Sequence, residues 1–180
     1  VVWLEATSTS RQRTSPRSET IQLQGRKFSP RVRAVTEGSR LDFPNQDSFS
    51  HNVFSKTPGG AFDTGLFSRG RTRTQAFGEA GIFPIYCNIH PRMTAYVVVV
   101  KTPWVAQAGS DGRFELAGVP AGQYTMHMWH DRASEVTRPI TVSSAGLTGQ
   151  RIELDARGYR YVQHKNKFDQ VYQSASGDRY

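Results

Sequence analysis

Apolar residues in the first hundred positions fall in short runs separated by turn residues, and a helical period is hard to find anywhere. Phe28, Val32 and Val35, then Leu41 and Phe43, then Val53 and Phe54, are strand material broken by Gly38-Ser39 and Pro44-Asn45. Thr72 to Phe77 and Ile82 to Tyr86 follow, and Tyr96–Val100 is a β-branched stretch closed by Lys101-Thr102-Pro103. The pattern predicts a sandwich of roughly seven or eight short strands over residues 21–102. After Pro103 a second rhythm begins. Ser110-Asp111-Gly112-Arg113 is a hairpin-type turn into Phe114-Glu115-Leu116, and Gly118–Gly122 is a second turn before the alternating Tyr124–Trp129. Ile140–Val142 and Ile152–Leu154 complete a smaller β unit over residues 103–155. Residues 6–20 hold no apolar side chain larger than alanine and read as a polar linker, and 156–180 as a polar tail with scattered aromatics. Such segments are commonly disordered when free, so order in them implies that the protein's own surface or a larger assembly holds them.

Composition narrows the classes. The chain has 180 residues, 37% of them hydrophobic and 21% charged, which fits a globular protein with a core. The longest apolar run, Ala95–Val100, is far short of a membrane helix, so no transmembrane segment is expected. Lys and Arg number 23 against 15 Asp and Glu, a net charge of +8. The excess is +7 over residues 1–103 and +3 over 156–180, whereas 104–155 carries −2. A basic surface favours an acidic partner. Without an aromatic-basic platform, nucleic-acid binding is not expected. Val1–Glu5 is too short for the apolar part of a signal peptide. The one cysteine, Cys87, has no internal disulfide partner and needs another role.

That role is offered by Tyr86-Cys87-Asn88-Ile89-His90-Pro91-Arg92-Met93. The C-x2-H-x2-M spacing sets a thiol, an imidazole and a thioether on one tight loop after a strand, and His51 in Ser48–Phe54 offers a second imidazole. Thiolate, two imidazoles and a weak thioether are the donors that select copper, whereas zinc takes four strong ligands or three and water. Singly, a cysteine or methionine usually packs a core; it is the combination that points to a metal. His127 and His130, with Met126 and Met128, do not repeat it: strand alternation sends the two histidines to opposite faces, so ordinary packing is expected.

With His51-Asn52 on one strand end and Cys87, His90 and Met93 on another, residues 21–101 resemble the cupredoxins, the blue-copper family, and the short ligand loop is similar to the family's amicyanin branch. The resemblance implies a Greek-key β-sandwich holding one type 1 copper ion on His51, Cys87, His90 and axial Met93. It also implies a layer of support around the sulfur from Asn52, Asn88 and Ile89. In the family, the backbone N–H after the first histidine donates to the thiolate, and the Asn side chain ties the two ligand loops together. Ile89 stands where the amicyanin branch has proline, so its N–H is a further donor to sulfur. The expected result is a raised potential, which Ile89→Pro would lower.

Four protein ligands leave no position for a substrate, so the expected function is one-electron transfer rather than catalysis, with His90 as the port. An apolar rim of Pro44, Phe83, Pro91 and Met93, flanked by Arg69, Arg71, Arg73 and Arg92, is expected to dock an acidic redox protein, such as a c-type cytochrome or a membrane electron-transfer complex. Residues 103–155 resemble the carboxypeptidase regulatory-like, transthyretin-like β-sandwich through D-G-R-F-E-L and G-V-P-A-G-Q-Y-T. Val1–Glu5 reads as its first strand, so the copper unit is expected to be inserted within it. The combination is similar to bacterial periplasmic proteins of the methylamine-utilisation-like kind. It implies export with the leader removed, and a place in the periplasm or on its membrane face. The competing expectation is a structural subunit of a membrane-bound electron-transfer complex, with copper secondary or absent.

Overall fold

Alternating β-branched and aromatic positions do form strands, and in the computed structural model, which describes residues 1–8 and 13–172, every helix or strand assigned is a strand. In chain order these are β1 (Val2–Ala6), β2 (Ser18–Thr20), β3 (Gln22–Gln24), β4 (Lys27–Ser29), β5 (Val32–Thr36), β6 (Ser39–Pro44) and β7 (Phe54–Ser55). They continue with β8 (Phe62–Asp63), β9 (Thr72–Phe77), β10 (Gly81–Tyr86), β11 (Thr94–Val100), β12 (Val105–Ala106), β13 (Gly122–His130) and β14 (Ala133–Val142). The fold class is all-β.

One sheet runs β5-β11-β10-β7-β8, and a second runs β2-β6-β9, with β3 and β4 forming a separate hairpin. Between them lies a core that includes Ile21, Leu23, Leu41, Phe43, Val53, Ile85, Val97 and Cys87. A fourth sheet runs β12-β1-β13-β14, so the first strand of the chain pairs antiparallel with the late strand β13, Val2 opposite Met128 and Ala6 opposite Tyr124.

The stretch ending at Val100 is apolar at every position because it is covered on both faces. Ala95, Val97 and Val99 point into the first core. Val98 and Val100 point the other way and meet Trp3 and Trp129. Period-2 alternation thus makes β11 the strand that joins the two halves. Asp131, nearly inaccessible at the tip of the β13–β14 hairpin, pins the contact by accepting from Arg31 Nε at 2.7 Å. The other face of the β1/β13 sheet packs Leu4, Met126, Met128 and Val142.

Two expectations are revised. Within 6–20, Ser18–Thr20 is a strand paired parallel with β6, held by Arg17 N–H donating to Ser39 Oγ and Arg40 N–H donating to the Arg17 carbonyl. Polar residues suffice there because the strand buries little and its backbone bonds carry it; residues 9–12 lie outside the described residues. Phe114–Leu116 and Ile152–Leu154 form no strand, although Phe114, Leu116, Ile152 and Leu154 pack on the core beneath them. Alternation there records side-chain burial without ladder pairing. The polar tail over 156–172 is held by the protein's own surface, one of the two ways expected for order in it: it packs back on the loop that carries Cys87, while 173–180 lies outside the described residues.

Candidate metal centre

Tyr86 ends β10 and Thr94 begins β11, and these two residues pair across the hairpin, so 87–93 is the connecting loop. It closes on itself: Cys87 N–H donates to the Met93 carbonyl at 3.2 Å, and Met93 N–H to the His90 carbonyl at 3.0 Å. His51 arrives from the segment before β7, bridged to Phe67 by a reciprocal pair of backbone bonds. The two segments meet at Cys87. Its sulfur lies 3.7 Å from His51 Nδ1 and 3.4 Å from His90 Nδ1, and the imidazole centroids are 4.7 Å apart. His51 and Cys87 are completely buried, and His90 is half-buried. Met93 is buried in the same core cluster as Cys87. Among the described residues this is the one group of three or more His, Cys, Asp or Glu side chains whose ligand atoms converge, all within 4.8 Å.

The separations fit a bound ion. Metal–nitrogen bonds of about 2.05 Å and metal–sulfur bonds of about 2.3 Å, opened to tetrahedral or trigonal angles, put sulfur and nitrogen about 3.6–3.8 Å apart; His51 at 3.7 Å falls within that range and His90 at 3.4 Å just short of it. Burial pushes the Cys87 thiol up, opposed by the backbone N–H groups of Asn52, Ile89 and His90, which face the sulfur and favour its anion. The Asn52 side chain also bridges the loops: Oδ1 accepts from Asn88 N–H, and Nδ2 donates to Asp63 Oδ1 at 2.9 Å.

Several contributors were not foreseen. Asp47, four residues before His51, accepts from its Nε2–H at 2.8 Å. The proton so fixed on Nε2 leaves the Nδ1 lone pair aimed at Cys87. Burial tends to raise the Asp47 carboxyl, but N–H donors from Arg26 and Gly25, together with His51, outweigh it and hold it below the usual range. Asn45, fully buried, fixes that turn by donating to the Phe49 and Phe67 carbonyls and accepting from Asp47 N–H. Phe49 packs edge-on against both imidazoles, with centroids 5.2 and 5.4 Å away. Neither Asp47 nor Phe49 carries a local signal: a carboxylate four residues before a histidine meets it as a rule only on a helix, and 47–49 is a bend.

The expected apolar rim is only partly present. Phe83 is 3% exposed, wedged against Phe77 and over Gly60, where even a Cβ would collide with its ring. Its side chain alternates into the core with Ile85, so it is not a surface residue. Met93 is likewise buried. Pro44 and Pro91 are half-buried, and the Pro91 carbonyl accepts from Tyr161 Oη. Arg69, Arg71, Arg73 and Arg92 are exposed. His127 Nδ1–H donates to Glu135 Oε1 at 2.8 Å and the ring stacks on Trp3, while His130 is exposed, so these histidines form no second cluster.

Comparisons with solved structures return copper proteins. A reduced tryptophan-to-tyrosine mutant of amicyanin matches at 24% identity with a TM-score of 0.43, covering 45% of this chain and 80% of that one. A purple cupredoxin from Nitrosopumilus maritimus matches at 24% identity and TM-score 0.41, over 45% of this chain and 98% of its own. A copper-containing nitrite reductase from Thermus scotoductus SA-01 matches at 23% identity and TM-score 0.45, over 53% of this chain and 25% of the reductase. No family model and no curated protein matches the sequence.

Proposed function

We propose that this chain is a type 1 copper protein that carries single electrons; His51, Cys87 and His90 would hold the ion, with Met93 as a weaker fourth donor. The observation that carries the reading is the buried convergence of one thiol and two imidazole Nδ1 atoms at 3.4–3.7 Å from sulfur. A soft thiolate with two imidazoles selects copper, and a thioether as fourth donor disfavours zinc. Copper held there supplies a Cu(II)/Cu(I) couple exchanging one electron.

The chain's own residues account for the rest. Asp47 orients His51, and the Asn52–Asn88 bond sets the distance between the two ligand loops before any metal arrives. N–H groups of Asn52, Ile89 and His90 stabilise an anionic sulfur. With every donor drawn from the protein, no position stays open for a substrate, which favours electron transfer over catalysis. His90, half-buried beside Phe49, is the proposed port. The proposed setting is the periplasm, with an acidic redox protein as partner.

Voltammetry of the copper-loaded protein tests this. A reversible one-electron couple, lost in Cys87→Ser, is expected; bound copper that stays redox-silent would contradict it.

A further inference from the structure

The segment after Ala156 is built inside out. Its polar groups are spent on the protein beneath: Lys167 N–H donates to Asn88 Oδ1 at 2.8 Å, Tyr172 Oη to the Cys87 carbonyl at 2.9 Å, and Tyr161 Oη to the Pro91 carbonyl at 3.2 Å. Lys167 Nζ pairs with Asp63, and Asp169 with Lys56 at 2.6 Å. His164 stacks on Tyr86, the residue before Cys87, at 4.5 Å. Its apolar side chains, in contrast, face solvent: Val162 is 82% exposed, Val171 72% and Phe168 66%. Ile89 of the ligand loop, 43% exposed, adds a fourth. A strap that fastens itself by polar groups and turns valine and phenylalanine outward gains nothing from those side chains as an isolated molecule. Contiguous exposed apolar surface with a polar rim marks an interface.

We infer that this strap, rather than the bare ligand loop, is the docking surface for an acidic partner protein. Charge selects that occupant. The described strap carries Arg157, Arg160, Lys165 and Lys167 against Asp169; Arg157 is paired with Asp155 and Lys167 with Asp63, which leaves Arg160 and Lys165 as its excess, on a chain of net charge +8. A second copy of this chain would set like charge against like, whereas an acidic surface is attracted from beyond contact. Position supplies the purpose: the underside of the strap touches the Cys87 carbonyl and Tyr86, so a partner seated on its outer face is separated from the ligand loop only by the strap itself. The inference rests on the electron-carrier reading for its purpose. Its physical content, an outward apolar face on a strap with a cationic excess, stands apart from it.

The test uses an acidic c-type cytochrome as probe and the triple variant Val162→Ser/Phe168→Ser/Val171→Ser, whose side chains are exposed. Binding is measured by calorimetry and by amide chemical-shift mapping, with and without copper, across a salt series. The expected result is salt-sensitive binding whose shifts centre on 159–172, weakened at least tenfold in the variant, with unfolding midpoint and metal binding unchanged. Absence of binding, equal binding by the variant, or shifts centred on Phe49 away from the strap would overturn the proposal. So would self-association that the variant abolishes, since the occupant would then be a second copy. If copper does not bind but the strap still binds the cytochrome, the carrier reading fails and the docking surface stands.

Discussion

At the scale of single residues, the site depends on partners that hold each donor in one orientation. Asp47 is the clearest case, because its carboxylate fixes which His51 nitrogen carries the proton. Removing such a partner typically lowers metal affinity about 10–100-fold. Asp47→Ala should therefore weaken copper binding by roughly that factor in a chelator competition, and an unchanged affinity would show that the contact is incidental. The convergence of His51, Cys87 and His90 was legible in the sequence because two of them share a loop of fixed spacing and few residue types offer such donors. Asp47 could not be read from spacing, because the bend that turns it onto His51 is fixed by buried Asn45 and not by a helical repeat. Tyr172 could not be read: it lies 85 residues from Cys87 and meets it only because the tail folds back. Phe83 was misread because proximity in sequence to Cys87 says nothing of which sheet face a side chain takes, and here it takes the core.

At the scale of elements, the strap is the part whose attachment responds to pH. Burial raises the Asp63 carboxyl, but donors from Lys167, the Gly65 N–H and Asn52 outweigh it, so its folded pKa lies below the usual value. A depressed carboxylate contributes stability that is present above its unfolded pKa of about 3.9 and is lost as pH falls through the folded value. Amide exchange over 159–172 should thus show steady protection from neutral pH down to about 4 and loosening below that, after correction for intrinsic rates. Asp63→Asn should weaken protection at neutral pH; protection indifferent to both changes would mean the ion pair does not anchor the strap. Sequence pattern found most strands because alternation and turn residues are local. It failed at Phe114–Leu116 and Ile152–Leu154, where side chains are buried without ladder bonds, and at Ser18–Thr20, where ladder bonds form with little burial.

At the scale of the whole molecule, two packed halves share β11. Val98 and Val100 on one side, Trp3 and Trp129 on the other, make a common core, reinforced by the Arg31–Asp131 pair. Truncating a buried tryptophan typically costs about 3–5 kcal/mol. Trp129→Ala should lower unfolding stability by about that amount in denaturant. A loss below about 1 kcal/mol would mean the halves are coupled by something other than this core. The pairing of β1 with β13 makes the same point topologically, since the chain's beginning is sealed only when residues 122–130 arrive. The single cysteine and the basic charge acquire separate meanings at this scale. One is buried at the centre of the donor cluster, and the other lies on the exposed arginines and on the strap over that centre.

The central claim is a copper–thiolate bond at Cys87, and visible absorption tests it most directly. Adding Cu(II) to the metal-free protein should produce an intense thiolate-to-copper band that saturates at one ion per chain and is absent in Cys87→Ser. A protein that stays colourless and retains no copper, or one whose band survives Cys87→Ser, would contradict the account.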